Sequence, residues 1–116
     1  MISVMPVCLF CDIVARKTPA DILYEDEDLV AFRDIRPKYP VHVLLVPKRH
    51  LASAAALVPT LDLVAGKLLR IGARLAVEAG LAASGFRLLT NTGDDAGQVV
   101  PHLHMHLLGG APLRGL

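Results

Sequence analysis

The segment PHLHMHLLGG, residues 101–110, places His102, His104 and His106 on alternate positions of an otherwise apolar run. Successive side chains of an extended strand point to opposite faces of a sheet. The three imidazoles would therefore share one face, and the apolar residues between them would share the other. We expect a strand over residues 102–108 whose apolar face lies in the core and whose imidazoles line a cleft.

Further strands are predicted on the N-terminal side of this segment. Residues 22–35 carry two β-prone runs around an acidic centre, as in a hairpin. Residues 41–47 (VHVLLVP) and 86–91 (FRLLTN) are apolar runs typical of strands. Residues 9–16 indicate a short helix, which the Thr18-Pro19 step should end because the residue before a proline is disfavoured in the helical region.

One long helix is predicted over residues 60–79, with Thr60 as its N-cap and Gly80 at its end. Because the strands do not alternate regularly with helices, the pattern favours an α+β fold in which this helix packs on one face of an antiparallel sheet. The predicted buried stripe of the helix is Leu61, Val64, Ala65, Leu68, Ile71, Gly72, Leu75 and Ala79, and its charged side is Lys67, Arg70, Arg74 and Glu78.

The composition indicates one compact domain over residues 1–116, since 53% of the chain is hydrophobic and 20% is charged. A formal net charge of +1, with Lys and Arg scattered singly, argues against large nucleic acids as partners. The apolar stretches are too short to span a membrane, and residues 1–9 lack the features of a signal peptide. We therefore expect a cytoplasmic protein.

Alternate histidines can be polar side chains of a half-buried strand, ligands of a metal ion, or groups that carry out chemistry. The C-x-x-C pair Cys8 and Cys11, with His42 and His50, offers further ligands of the kind that closes a tetrahedral zinc site. The loop TGDDAGQ, residues 92–98, favours chemistry, because its glycines permit close backbone approach and its glutamine offers amide donors to an oxyanion such as phosphate. One histidine could serve a metal while the others serve catalysis.

Five segments extend this pattern over nearly the whole chain: CLFCDI (8–13), YEDEDLVAFRDIRP (24–37), PVHVLLVPKRH (40–50), LLTNTGDDAGQ (88–98) and HLHMHLLGG (102–110). In order and spacing they resemble the histidine triad (HIT) superfamily, closest to its Hint-like nucleotide-binding branch of the zinc-containing type. The last segment contains the family signature H-x-H-x-H-x-x, with apolar x. The resemblance implies the HIT fold, an antiparallel sheet of about five strands with one long helix and a short N-terminal helix.

The resemblance also implies covalent chemistry at phosphorus. The middle histidine, here His104, attacks the α-phosphorus of a nucleotide, expels the leaving group and forms a nucleotidyl-histidine that water then hydrolyses. The main-chain carbonyl of His102 holds the other ring nitrogen of His104, and His106 contacts phosphate and leaving-group atoms. These three histidines are the predicted catalytic residues.

The nucleotide-binding residues follow from the same resemblance. Asp34 matches the carboxylate that binds the ribose hydroxyls, and Asn91 and Gln98 match the polar groups that hold phosphate oxygens. Val99 stands in this region where the family commonly has Ser or Thr, so a hydroxyl is missing and we expect an altered activity or leaving-group preference. The apolar base pocket is expected from Leu9, Phe10, Ile13, Phe32 and Ile35.

The resemblance further implies a structural zinc ion held by Cys8, Cys11, His50 and His102. Four N and S ligands complete a closed tetrahedral site of this type. The alternatives are two reduced, buried thiols or a redox-active pair. His42 falls outside both sets, as a packed strand histidine or one that supports the site from behind.

For the whole protein, the resemblance implies a nucleotide hydrolase or transferase similar to purine nucleoside phosphoramidases. Its expected partners are a small purine nucleotide and a second copy of the chain in a homodimer, with no large nucleic acid and no membrane. The alternatives are a dinucleoside polyphosphate hydrolase and a nucleotide-binding or interaction protein with little turnover.

Overall fold

The computed structural model describes residues 8–115 and shows a five-stranded antiparallel sheet with the strand order β1-β2-β3-β5-β4. The strands are β1 (Ile22–Glu25), β2 (Leu29–Arg33), β3 (Val41–Pro47), β4 (Phe86–Leu89) and β5 (Met105–Gly109), and the α-helices are α1 (Leu9–Val14) and α2 (Asp62–Glu78). The predicted α+β fold class, the hairpin and the two helices are confirmed. No helix of the described residues is long and apolar enough to cross a membrane.

The two faces of the sheet carry separate apolar clusters because neighbouring residues of each strand point to opposite sides. Val43 and Leu45 of β3 lie under α2 with Leu103 and Leu107. The other face is covered by α1, and its cluster comprises Cys8, Phe10, Ile13, Val30, Phe32, Leu44 and Val46. The alternation predicted for the histidine segment is therefore present, with its leucines in the core beneath the long helix.

The histidine strand is shorter than predicted. β5 begins at Met105 rather than at residue 102, although the side chains already alternate before it. The backbone N–H of Leu103 donates to the carbonyl of Leu51 at 2.6 Å, and the carbonyl of His104 accepts from the hydroxyl of Thr90 at 2.6 Å. These backbone groups have partners outside the strand ladder. β4 likewise ends at Leu89, two residues before the predicted end.

The long helix begins later than predicted. A 3-10 turn over Pro59–Leu61 precedes it, Leu61 occupies the N-cap position, and no side chain caps the first turn. Thr60 as the N-cap is therefore wrong, because it lies within that turn. Of the predicted stripe, Ala79 is exposed, and Ala76 is buried in its place.

Asp26 holds the turn between β1 and β2 and links it to α2. Its carboxylate accepts hydrogen bonds from the N–H groups of Asp28 (2.8 Å) and Leu29 (3.0 Å) and from the Tyr24 hydroxyl (2.7 Å), and it pairs with Lys67 at 3.2 Å. Burial alone would raise the pKa of Asp26, but these bonds lower it well below its usual range. Lys67 was predicted on the charged outer side, yet its side chain is only 19% exposed.

Candidate active site and metal centre

His104 lies just before β5 and is held by a single directional contact. Its Nδ1 is 2.7 Å from the main-chain carbonyl of His102. A carbonyl can only accept, so Nδ1 carries the hydrogen, and Nε2 of the neutral ring carries the free lone pair. The ring is 7% exposed and meets Phe10 edge-on at 5.0 Å between centroids. This arrangement presents one imidazole nitrogen as a nucleophile.

Thr90 fixes the backbone on the other side of the same histidine. Its hydroxyl donates to the His104 carbonyl at 2.6 Å, so the peptide that carries the ring is tied to the end of β4. Thr90 was not among the predicted site residues. The available signal was its place beside Asn91 at the end of a predicted strand.

His106 lies next to two other imidazoles. Its ring centroid is 5.0 Å from that of His104, and its Nδ1 is 3.0 Å from Nε2 of His42 on β3. Burial lowers the pKa of His42, and burial followed by the charges of His104 and His42 lowers the pKa of His106 to about 4. Both rings are therefore neutral near pH 7.

Asp34 follows β2 and approaches the same group. One carboxylate oxygen accepts from the backbone N–H of Arg36 at 2.9 Å, and the other lies 3.3 Å from Nε2 of His42. The next residue, Ile35, is 84% exposed, which leaves its apolar side chain free to pack on a ligand. The structure thus brings the predicted ribose carboxylate within reach of the histidine group.

The predicted base-pocket residues separate into two groups. Phe10, Ile13 and Phe32 are buried in the cluster beneath α1, whereas Leu9 and Ile35 are exposed. Phe10 contacts His104, so this cluster adjoins the predicted nucleophile. The buried members support the site, and the exposed ones are free to touch a base.

The loop after β4 is organised by Gln98. Its amide nitrogen donates to the carbonyls of Ala52 (2.7 Å) and Val100 (3.0 Å), and its oxygen accepts from the N–H of Gly93 at 2.9 Å. Both amide hydrogens are therefore used within the protein, so here Gln98 closes the loop instead of offering free donors. Gly93 and Gly97 have φ of 82° and 81°, conformations that side chains rarely adopt.

Two other predicted phosphate-side residues lie at the ends of this loop. Asn91 is partly buried and lies two residues after the end of β4. Val99 is 89% exposed, so it presents an apolar side chain to solvent at the position where a hydroxyl was missing in the sequence. The nucleotide-binding roles of Asn91, Gln98 and Val99 stay predictions.

The residues predicted to bind metal come together at the start of α1. The ligand atoms of Cys8, Cys11, His50 and His102 all lie within 4.8 Å of one another. His102 Nδ1 is 3.4 Å and 3.5 Å from the two sulfurs and 3.2 Å from His50 Nδ1, and Cys11 Sγ is 3.2 Å from His50 Nδ1. A tetrahedral zinc ion with its usual bond lengths holds its ligands roughly 3.3–3.8 Å apart. The four residues could therefore hold a metal ion.

The protonation of this cluster also suits a cation. His102 is fully buried, and its Nε2–H donates to the carbonyl of Pro47 at 2.9 Å, which leaves Nδ1 with a free lone pair toward the cluster. Burial, followed by the neighbouring Cys8 sulfur, raises the pKa of Cys11 to about 11. A thiolate forms here only if a positive charge offsets that cost.

Known proteins resemble this chain over most of its length. The HIT domain family model matches residues 15–113. A purine nucleoside phosphoramidase of Escherichia coli (strain K12) is 40% identical over 112 residues, covering 90% of this chain and 88% of that protein. Protein HitA of Neisseria gonorrhoeae is 43% identical over 105 residues, covering 90% and 97%.

Solved structures agree in fold as well as in sequence. A HIT family hydrolase from Clostridium thermocellum superposes with a TM-score of 0.91 at 40% identity, covering 97% of this chain and 98% of that one. A HIT family hydrolase from Legionella pneumophila Philadelphia 1 gives 0.90 at 39% identity, covering 93% and 96%.

Proposed function

Because this chain belongs to the HIT domain family, we propose that it is a nucleotide hydrolase or transferase that forms a covalent nucleotidyl-histidine on His104. The observation that carries the proposal is the 2.7 Å contact between His104 Nδ1 and the carbonyl of His102. In the neutral ring this contact fixes the hydrogen on Nδ1 and leaves the lone pair of Nε2 as the nucleophile in a buried setting. Its relatives include a purine nucleoside phosphoramidase, which supports a phosphoramidate of a purine nucleotide as the substrate.

The reaction proceeds in two displacements at the α-phosphorus. Nε2 of His104 attacks phosphorus while the bond to the leaving amine breaks, and His106 gives the amine the proton with which it leaves; the attacking water of the second step returns a proton to His106. Water then attacks phosphorus, the P–N bond to the histidine breaks, and the nucleoside 5′-monophosphate is released. His106 is the neighbouring imidazole that contacts the phosphoryl or leaving-group atoms.

The remaining site residues bind the nucleotide around this centre. Asp34 accepts hydrogen bonds from the ribose hydroxyls, and the exposed side chains of Leu9 and Ile35 pack on the purine base. Asn91 contributes an amide to the phosphate oxygens. Gln98 supports these contacts by closing the loop, and Val99 offers no hydroxyl to the leaving group.

The metal of the Cys8, Cys11, His50 and His102 cluster is zinc. The S₂N₂ donor set is the one that structural zinc sites use, and the separations of the ligand atoms suit a tetrahedron. When bound, zinc stabilises two thiolates and links α1 to the rest of the molecule without contacting substrate. The chain also forms a homodimer, supported by β4 as an edge strand and by the exposed apolar Leu69 and Val77 of α2. Sedimentation velocity tests the dimer, and a monomer at micromolar concentration would contradict it.

Rapid quenching with an adenosine 5′-phosphoramidate tests the proposed function. Intact-protein mass spectrometry should detect an adenylyl group that maps to His104 and is absent in His104→Ala. Arg70→Ala, on the exposed side of α2, is the matched control and should keep the wild-type rate. Failure to trap an adduct, together with an unchanged rate in His104→Ala, would overturn the proposal.

A nucleotide-binding protein with little turnover is the second candidate, because Val99 is 89% exposed and supplies no hydroxyl. It predicts AMP binding by calorimetry with negligible hydrolysis, and Val99→Ser should then raise turnover. A dinucleoside polyphosphate assayed beside the phosphoramidate distinguishes the two leaving groups, and faster release of AMP from the dinucleotide would favour that alternative.

A further inference from the structure

His42 is a buried histidine that the proposed mechanism leaves without a role. Resting on that mechanism, we propose that His42 is a positioning residue that holds His106 as an uncharged donor through Nε2–H, and that Asp34 competes with His106 for the same His42 hydrogen. Ribose binding at Asp34 would then strengthen the hydrogen bond from His42 to His106.

The first bond sets the tautomer of His42. The backbone N–H of Lys38 lies 3.1 Å from His42 Nδ1, and a backbone N–H can only donate. Nδ1 is therefore the acceptor, and the hydrogen of the neutral ring lies on Nε2. Protonation of Nδ1 would place two donors against each other, so the loop containing Lys38 keeps His42 neutral.

The second bond sets the tautomer of His106. His42 Nε2–H points at Nδ1 of His106 across 3.0 Å, so that Nδ1 accepts. The hydrogen of the neutral His106 ring must then lie on its Nε2. This N–H can donate to a phosphoryl or leaving-group atom without adding a positive charge beside His104.

The charged and titratable groups that face this pair support the uncharged state. They are Asp34 after β2, Lys38 before β3 and His104 on the segment of His106 itself. The side chain of His42 is only 3% exposed. Burial lowers the pKa of both rings, and the positive Lys38 lowers both further, against an opposing contribution from Asp34.

Asp34 links the pair to the ribose. Its carboxylate oxygen is 3.3 Å from the His42 Nε2 that is 3.0 Å from His106, so two acceptors share one hydrogen. When a ribose diol donates hydrogen bonds to Asp34, the carboxylate becomes a weaker acceptor for the Nε2–H of His42. The hydrogen bond from His42 to His106 then becomes stronger. The ribose hydroxyls should therefore affect kcat as well as KM, and this effect should pass through His42.

Two variants of His42 test the relay. His42→Gln keeps an N–H near the position of Nε2, whereas His42→Leu removes it at similar volume. In the substrate-free, metal-loaded protein, the ¹⁵N shifts of His106 should show the hydrogen on Nε2 in the wild type and His42→Gln, and a mixture of tautomers in His42→Leu. A wild-type pattern in a folded His42→Leu protein would overturn the proposal, whatever reaction the protein catalyses.

Kinetics test the link to the ribose. We expect His42→Leu to lower kcat by about 10- to 100-fold with a small change in KM, and His42→Gln to restore most of that loss. Replacing the substrate by its 2′,3′-dideoxy analogue should lower kcat in the wild type and leave kcat of His42→Leu nearly unchanged. Equal losses of kcat in both proteins would show that Asp34 does not act through His42. Because the NMR measurement needs no substrate, failure of the proposed function would be seen separately.

Discussion

His102 joins the candidate metal cluster to His104 because three of its atoms have different partners. Its Nε2–H donates to Pro47, its Nδ1 faces the two cysteine sulfurs, and its carbonyl accepts from His104. The residue is fully buried, so its ring cannot turn without breaking one of these contacts. The carbonyl that accepts from His104 belongs to this same buried residue, so the orientation of the His104 imidazole is tied to the backbone of His102.

Thr90→Val tests how much of that orientation comes from the peptide. The substitution preserves shape but removes the hydroxyl that donates to the His104 carbonyl at 2.6 Å. We expect a loss of about 1 kcal/mol in the free energy of unfolding, measured by urea denaturation, and a lower rate of adduct formation on His104. Thr90→Ser should retain both properties. Thr92→Val is the control, since Thr92 is exposed, and equal losses in the two valine variants would contradict the role of Thr90.

At the level of residues, the sequence predicted the contacts made by residues of its motifs. It missed the hydrogen bonds that depend on the course of a loop. The carbonyl of His102 and its place among the metal ligands follow from motifs in a known order. The bonds of Thr90 and Gln98 join residues 14 and 46 positions apart, to backbone carbonyls that have no sequence signature. Such contacts depend on where the chain turns after β4, which a sequence pattern does not specify.

At the level of elements, the presence of each strand and helix was easier to predict than the residues at which it begins and ends. A continuous apolar run located β3 over its full length, Val41–Pro47, because both faces of this strand are buried. β5 begins late because Leu103 bonds to Leu51 outside the sheet, although its side chains continue the alternation. The predicted start of α2 was wrong because a 3-10 turn occupies Pro59–Leu61. The residues of that turn resemble those at the start of an α-helix.

Helix α1 is the element that the proposed zinc ion would stabilise most. It has six residues, too few for a stable helix in isolation, and its N-cap is Cys8, whose sulfur accepts from the N–H of Cys11 at 3.3 Å. Without an ion, the buried Cys8 thiol, the half-buried Cys11 thiol and two imidazole nitrogens lie against one another. We therefore expect chelation to detach α1 from the sheet and to lower Tm by roughly 10 °C or more.

Calorimetry and the NMR contacts of Phe10 measure this effect. Loss of the contact between the Phe10 and His104 rings, 5.0 Å apart by centroids, would report detachment directly. Cys8→Ser should start from the lower Tm and show no further response to chelator. A protein that contains no stoichiometric zinc, or whose Tm and Phe10 contacts survive chelation, would contradict the metal site.

At the level of the whole molecule, the sheet separates the main apolar core from the polar side chains of the candidate site. One face packs on α2 and holds the larger apolar cluster, and the other holds the histidines, α1 and the candidate metal ligands. The separation could be predicted because alternation assigns each residue of a strand to a face. The crowding of His42, His104 and His106 could not, because it depends on the register that sets Leu44 opposite His106 between β3 and β5.

This crowding has a consequence for stability against acid. The pKa of His106 in the folded protein is about 4, and that of His42 is also lowered, whereas an unfolded imidazole titrates near 6.5. Between about pH 6.5 and 4 these imidazoles are therefore protonated in the unfolded chain but not in the folded protein. The free energy of unfolding consequently falls as the pH falls. The slope is about 1.4 kcal/mol per pH unit for each proton difference.

Urea unfolding across this range, with metal held in excess, measures the slope. His106→Asn should reduce the slope between about pH 6.5 and 4 by up to about 1.4 kcal/mol per pH unit, the contribution of one proton, because asparagine does not titrate. Asp26→Asn is the contrasting variant. The pKa of Asp26 is lowered in the folded protein, so its contribution is present above the unfolded value of about 3.8 and is lost only as pH falls below it. If His106→Asn unfolds with the wild-type slope between pH 6.5 and 4, His106 takes up its proton at an ordinary pH and the pair is not held neutral by burial.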